Sequence, residues 1–358
     1  MDKDIDGKKI SKVIKENIKE FTKDLIIKPG LAVIQIGDDS ASNIYINQKE
    51  KACNEVGITF KHYKFDKNDT EEMVINKIVE LNNNQYIFGI IVQLPIPAGF
   101  NKHRIINTIS PDKDVDGLTE TSLGRLMGGK ESFVSCTPAG IMYLLKSYDI
   151  DVARKHVVII GRSELVGRPL MTLMLNNDAT VTICHSKTIN MDVITKQADI
   201  LVVATGHKDL IKANMIKNSA IIIDVGINRV DGKVYGDVDY EDVYSKVSYI
   251  TPVPGGVGPM TVAMLLNNVI ISYKKSDKSF KYKNLVNDYT VKLSDGNEYN
   301  VLDTLKLDNK TYLYLIDKFD RTNIKFCEHD IENDELIIVR NDDIREKLSY
   351  LLFEKHVN

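Results

Sequence analysis

Between Leu31 and Ile250 the sequence repeats one pattern: a short apolar run rich in β-branched residues, a stretch with helical spacing, then another apolar run. LAVIQIG, ITFKHYKF and IFGIIVQLP form a first series, and HVVIIG, ATVTIC, DILVVAT and AIIIDVG a second. Runs of this length, separated by enough chain for a helix, read as strands paired in parallel beneath a layer of helices. The pattern predicts an α/β fold with two α/β units, joined near Asp116 to Ser135.

Composition narrows the class. At 358 residues, with 43% hydrophobic and 27% charged residues, the chain has material for two or more packed domains. A formal net charge of −3 and no basic block give no footprint for nucleic acid. The charged start, MDKDIDGKKISKVIKENIKEF, lacks the apolar core of a signal peptide, and no run approaches the ~18 apolar residues of a membrane span, so a cytoplasmic location is expected. The four cysteines are far apart and show no C-x-x-C pair, so reduced thiols and no metal site are expected.

Past Lys274 the character changes. SDKSFKYK reads as a charged linker, and VKLSDGNEYNVLDTLKLDNKTYLYLID alternates apolar and polar residues around turn signals at Asp295-Gly296 and Asp308-Asn309. A three-stranded antiparallel meander is predicted, followed by a strand in DELIIVR and an amphipathic helix in DIREKLSYLLFEK. This is a separate β-rich α+β module over residues 284–358, with a marginal core of its own.

Several stretches carry candidate chemistry. In HVVIIGRSELVGRP a strand runs into Gly161 and a helix begins where Pro169 fits the first turn. Free N–H groups and the helix dipole make such a turn an anion site, although the spacing Gly161, Ser163, Gly167 is not G-x-G-x-x-G and a plain α/β turn would read the same. The next strand ends Cys184-His185-Ser186, with no acid for a ribose 2′-hydroxyl. Arg162 and Ser186 suit a 2′-phosphate instead, which favours NADP over NAD, unless Arg162 is an ordinary surface arginine. Tyr45 and Lys49 lie four apart on one helix face, as pairs on solvated helices also do. Gln93 ends a buried strand, as a ligand group or a strand cap, and PDKDVDGL supplies aspartates that suit a turn or a ligand.

These pieces, in this order, resemble the bifunctional methylenetetrahydrofolate dehydrogenase/methenyltetrahydrofolate cyclohydrolase family. The resemblance runs from IDGK at residues 5 to 8 to about residue 275 and rests on nine further motifs. They are Y-x-x-x-K at Tyr45 to Lys49, VQLPIP, PDKDVDG, CTPAG at Cys136, GRSELVGRP, ATVTICHSKT, DVGIN at Asp224, GDVD at Gly236 and TPVPGGVGPMT. Where this chain has Ser135 the family more often has proline, a departure beside the expected site.

The resemblance implies a folate-binding catalytic domain over residues 1–118 and 255–275 and a Rossmann-like NADP-binding domain over 119–254, flanking a cleft. It implies oxidation of 5,10-methylenetetrahydrofolate by NADP to the methenyl cation, hydrolysis to 10-formyltetrahydrofolate, and a homodimer formed through the cofactor domains. By motif, Lys49 transfers protons in the hydrolytic step, Tyr45 stacks on the folate, Gln93 contacts Lys49, and Asp116 binds the pterin. Gly161, Arg162, Ser163, Ser186 and Ile227 fall at the family's NADP contacts. The loop TPVPGGVGPMT, rigid with proline and bare with glycine, is expected to wall the cleft, with Gly255, Gly256 and Pro259 against the folate.

Two other readings compete. One is a monofunctional NAD-linked methylenetetrahydrofolate dehydrogenase, opposed by the Tyr45, Lys49, Gln93, Asp116 set and the Arg162, Ser186 pair. The other is a catalytically silent binding or regulatory subunit, opposed by the retention of every expected polar residue. The tail resembles a small uncharacterised bacterial β-rich domain of the DGxxYxVLDT type, which implies either a passive fusion or a module for an unknown partner.

Overall fold

The computed structural model describes residues 3–23, 25, 28–277, 290–320, 322–330 and 335–357. The expected linker SDKSFKYK falls largely on 278–289, outside the described residues.

The first unit opens with α1 (Gly7–Lys23) and alternates β1 (Gly30–Ile36), α2 (Ser40–Glu55), β2 (Thr59–Phe65), α3 (Glu71–Asn83) and β3 (Ile87–Val92). Its strands lie in the order β2-β1-β3, all parallel. β1 and β3 are buried along their whole length, as continuous apolar runs covered on both faces must be. Three helices, α4 (Lys102–Asn107), α5 (Glu120–Met127) and α6 (Cys136–Ser147), lead to the second sheet.

That sheet takes β4 (His156–Ile160), α7 (Gly167–Asn176), β5 (Thr180–Cys184), α8 (Met191–Thr195), β6 (Ile200–Val203) and β7 (Ile221–Asp224). A hairpin, β8 (Asn228–Val230) with β9 (Lys233–Tyr235), then α9 (Tyr240–Tyr244) and β10 (Tyr249–Ile250) complete it. The order is β10-β7-β6-β4-β5, all parallel. β5 lies on one side of β4 and β6 on the other, so the chain reverses direction across the sheet at β4 and opens a crevice beyond the strands' C-terminal ends. The closing helix of this unit, α10, runs Val257–Asp277, with Pro259 in its first turn. It returns to pack on α1 and α6, tying the second unit back to the first.

The C-terminal strands are β11 (Thr290–Lys292), β12 (Glu298–Leu307), β13 (Lys310–Asp317), β14 (Ile324–Asp330) and β15 (Glu335–Ile338), in that spatial order and all antiparallel, followed by α11 (Asp342–Val357). The meander and the DELIIVR strand form as expected. β14 went unread in the sequence because IKFCEHD carries charge at both ends of a short apolar centre.

The module is not separate. Leu302, Leu305, Tyr314, Phe326, Leu348 and Phe353 belong to one buried cluster with Ile34, Ile78, Tyr86 and Ile90 of the first unit. A second face, with Leu293, Val301, Leu315 and Cys327, forms a small core internal to the module. The marginal core expected of so short a segment is thus extended by the neighbouring α/β unit.

Candidate active site

The first group of candidate residues meets at the C-terminal ends of β1 and β3. Asp39 caps α2, its carboxylate accepting the Ser42 N–H at 2.7 Å, and so fixes where the helix leaves β1. Lys49 lies on the third turn of α2, and its Nζ donates to Gln93 Oε1 at 2.8 Å. The Gln93 amide has one usable orientation, because its Nε2 donates to the Leu94 carbonyl at 2.8 Å and leaves Oε1 to face the lysine. Gln93 is therefore more than a strand cap.

Asp116 sits close enough to Lys49 for their charges to interact. Burial lowers the Lys49 pKa from its ordinary value, and the carboxylate of Asp116 opposes that shift. Burial likewise raises the pKa of Asp116, with Lys49 pulling the other way. Both groups are pushed toward their neutral forms, the condition under which an amine accepts a proton near neutral pH. Tyr45, one turn before Lys49, is 40% exposed.

Three further residues support the group, of which Asn268 carried no signal in the sequence. Asp114 accepts the N–H groups of Leu118 and Thr119, at 3.1 and 2.9 Å, and shapes the turn that carries Asp116. Asn268 of α10 donates to the Val115 carbonyl at 2.8 Å. Burial raises the Cys136 thiol pKa well above the usual range, and the neighbouring Asp116 adds to the shift; the thiol is a packing group rather than a nucleophile. Asn268 is 153 residues from its partner, and no local pattern signals such a contact.

The second group lies at the C-terminal ends of β4 and β5. Ile160 pairs with Cys184, and the Gly161 N–H donates to the Cys184 carbonyl, so Arg162 and Ser186 follow side by side from adjacent strands. Gly161 has φ +123°, and a Cβ there would lie 2.4 Å from the Ala204 carbonyl oxygen. A Cβ on Gly167 would lie 2.1 Å from the Gly161 carbonyl oxygen, so only glycine allows the turn to close on α7. Ser163 Oγ accepts the Val166 and Gly167 N–H groups at 3.1 and 3.4 Å, leaving its own O–H to donate outward. Arg162 and Ser186 are exposed, and no acidic side chain pairs with Arg162 among the described residues. An exposed guanidinium beside a hydroxyl, at a helix N-terminus, fits a ribose phosphate. Ile227 is exposed after β7, along the same edge of the sheet.

The loop 251–261 joins the two units. Gly255 takes φ +121°, with no atom nearer than 3.9 Å to a Cβ built there. Gly256 is bare for a different reason from the ligand approach expected of it. Its carbonyl oxygen would lie 1.8 Å from a Cβ on Gly7, and its own Cβ would lie 2.6 Å from Thr251 Cβ, so it serves packing of α1 against the loop. Pro259 stands in the first turn of α10, half-buried. Ser135, at the family's proline position, donates from Oγ to the Leu165 carbonyl at 2.7 Å and ties α6 to the turn after β4.

A parallel sheet with a glycine turn open to a phosphate, joined to a second α/β unit that holds a lysine, an amide and a carboxylate together, defines a dinucleotide-dependent enzyme. Comparison with known proteins makes the class specific. The tetrahydrofolate dehydrogenase/cyclohydrolase catalytic domain matches residues 5–116, and the NAD(P)-binding domain of the same family matches residues 135–277. The bifunctional protein FolD of Campylobacter hominis is 51% identical over 281 residues, 77% of this chain and 99% of that one.

The crystal structure of the bifunctional FolD of Campylobacter jejuni aligns with a TM-score of 0.74 at 48% identity, covering 76% of this chain and 98% of that chain. The Trypanosoma brucei enzyme, solved with NADP cofactor and inhibitor, aligns at 0.72 and 35% identity, covering 76% and 97%. The chain belongs to the tetrahydrofolate dehydrogenase/cyclohydrolase family. Residues 278–358 lie beyond both family matches.

Proposed function

We propose that this chain oxidises 5,10-methylenetetrahydrofolate with NADP and hydrolyses the methenyl product to 10-formyltetrahydrofolate in one cleft, with Lys49 as the proton-transfer residue of the hydrolytic step. The observation that carries this reading is the 2.8 Å Lys49–Gln93 hydrogen bond beside Asp116, in a setting that lowers the lysine pKa by burial.

Asp116 offers two oxygens to the adjacent N–H donors of a pterin edge, a bidentate match that a neutral side chain lacks. Tyr45, exposed one turn from Lys49, stacks on the folate. The methenyl group is cationic, and a cation beside Lys49 disfavours the ammonium form, adding to the effect of burial. The neutral amine then takes a proton from the attacking water, and the Gln93 carbonyl oxygen holds Nζ in place throughout.

Gly161, Arg162, Ser163 and Ser186 hold the adenosine and phosphate end of NADP, and Ile227 lies toward the nicotinamide end through its backbone. When bound, NADP accepts the hydride; the chain's task in that step is to hold the two rings in register. Gly255 and Pro259 line the folate side, with Gly256 behind them. Residues 1–118 with 255–275 form the catalytic domain, 119–254 the cofactor domain, and 284–358 the added module. The family resemblance further suggests a homodimer through the cofactor domain. No helix among the described residues is long and apolar enough to cross a membrane.

Lys49→Met tests the assignment: hydrolysis of methenyltetrahydrofolate is lost, while tetrahydrofolate binding by calorimetry persists. Full hydrolytic turnover in that variant would refute the role of Lys49.

A further inference from the structure

Two buried aspartates of the cofactor domain have no part in the scheme above. Asp237 is fully buried, and its two oxygens gather donors from two loops. Oδ2 accepts the Thr205 N–H at 2.6 Å, the Thr205 hydroxyl at 3.0 Å and the Gly206 N–H at 2.9 Å. Oδ1 accepts from Asn228 Nδ2 at 2.8 Å. Asp224, at the end of β7, accepts the N–H groups of Gly226, Asp237 and Val238, each at 2.9 Å. Neither carboxylate pairs with a basic side chain among the described residues.

The two acids interlock with two glycines. A Cβ on Gly226 would lie 2.2 Å from Asp237 Oδ1, and one on Gly236 would lie 1.9 Å from Asp224 Oδ2. Thr251 closes the set: its Oγ1 accepts the Asp224 N–H at 2.7 Å, at the start of the loop that returns to the catalytic domain. A buried carboxylate without a cation must be compensated by N–H and O–H donors, so each donor is held where the carboxylate needs it.

Position in the sheet says what is being held. Ile160 pairs with Val203, and Val203 with Asp224, so the loops after β4, β6 and β7 leave one row of the sheet. Arg162 and Ser186 lie on the β5 side of β4. The segments 205–206 and 226–228 lie on the opposite side, across the point where the strand order reverses. A dinucleotide bound by its 2′-phosphate at Arg162 directs its other half there.

We propose that Asp237, with Asp224 behind it, is a positioning residue for the nicotinamide half of the cofactor: it fixes the spacing between the loops after β6 and β7. The inference rests on the assignment of Arg162 and Ser186 to the adenosine half.

Two probes separate the halves, NADP and adenosine 2′,5′-bisphosphate, each titrated by calorimetry into the full chain. Asp237→Asn turns one acceptor into a donor facing other donors. It is expected to weaken NADP binding by about tenfold, the worth of one lost hydrogen bond to a charged group, while adenosine 2′,5′-bisphosphate binds as before. Hydrolysis of methenyltetrahydrofolate, which needs no dinucleotide, is expected to stay unchanged and reports that the fold is intact. Asn228→Ala, which removes a single donor from the same clamp, gives the same split at smaller amplitude if the first variant fails to fold.

Equal weakening of both probes, loss of hydrolysis in parallel, or unchanged NADP binding would overturn the proposal. Arg162→Ala serves as the companion. If it leaves the bisphosphate affinity unchanged, the placement of the adenosine half is wrong and the inference falls with it. If it weakens the bisphosphate while Asp237→Asn does nothing to NADP, only the inference falls.

Discussion

At the scale of single residues, Lys49 is governed by what its Nζ faces. An amide accepts its hydrogen bond without adding charge, so burial can keep the ammonium disfavoured. Gln93→Glu places a carboxylate at the same point and stabilises the ammonium. The Lys49 pKa rises, and the acid limb of the hydrolytic pH–rate profile, along which the amine loses its proton, moves to higher pH. Each unit of that shift lowers hydrolysis near pH 7 by about tenfold, while methylene oxidation changes less. A profile that does not move in Gln93→Glu would show that Lys49 is not the group titrating in the reaction. Arg162 is tested by affinity: Arg162→Ala is expected to cost about ten- to a hundredfold in NADP binding and little in NAD binding, since only NADP offers the 2′-phosphate.

Residues in local patterns were legible. Gly161, with the helix after it, announced an anion site, and the Tyr45, Lys49 pair fell on one helix face as its spacing required. Asp224 and Asp237 were visible only as letters in DVGIN and GDVD, because their partners arrive from other loops. Asp224 also makes the point in pH. Burial raises its pKa from an ordinary 3.8 to about 6, against N–H donors from Asp237, Val238 and Gly226 that lower it. The folded protein therefore holds this proton more tightly than the unfolded chain does. The resulting stability is fully present below about pH 4 and is lost as pH rises through about 6, on the order of 2–3 kcal/mol in all. Asp224→Asn cannot titrate, so the stability of the native chain relative to this variant should fall across that window, as measured by urea unfolding at pH 4, 5, 6 and 7.

At the scale of elements, the strand–helix alternation fixed the two α/β units because continuous apolar runs leave a parallel sheet as the outcome. What stayed hidden was contact between elements. IDGK marked the start of the family pattern without a physical reason. The structure supplies one: Gly7 begins α1 directly beneath the Gly256 carbonyl, and the Lys8 N–H donates to the Gly255 carbonyl at 2.8 Å. Two bare backbones touch there, one from each end of the family domain. Gly7→Ala drives a methyl group into that carbonyl and must displace the 252–258 loop. Because the loop joins β10 to α10, and α10 carries Asn268 to the peptide before Asp116, the displacement should raise the KM for the folate more than that for NADP. Equal changes in the two would show that the loop does not wall the folate side.

At the scale of the whole molecule, the C-terminal module is docked by α11. The Phe353 ring meets Tyr86 edge-on at a centroid distance of 6.2 Å, and a Cβ on Gly30 would lie 3.3 Å from it. Lys61 reaches over the same ring at 4.9 Å and pairs with Glu354 at 2.5 Å. The apolar periodicity of DIREKLSYLLFEK announced the helix, but nothing local says which sheet a helix will cover. Gly30 and Tyr86 lie at the N-terminal ends of β1 and β3, whereas Gln93 follows the C-terminal end of β3. The strand between them spans roughly 20 Å, at ~3.3 Å per residue, from the Phe353 contact to Gln93. Phe353 therefore supports the sheet at the end that does no chemistry. Phe353→Ala should cost about 3–5 kcal/mol of that support, as large-to-small changes in a core do, and lower the Tm. Removing residues 284–358 should lower it too, because Tyr86 and Gly30 then face water, while kcat and KM for both reactions stay within about twofold in a chain whose remaining length matches complete relatives. A change in either kcat on removal, with the Tm unaltered, would reverse this argument: the module would be acting on the cleft through the strands, and the fusion would be regulatory rather than supportive.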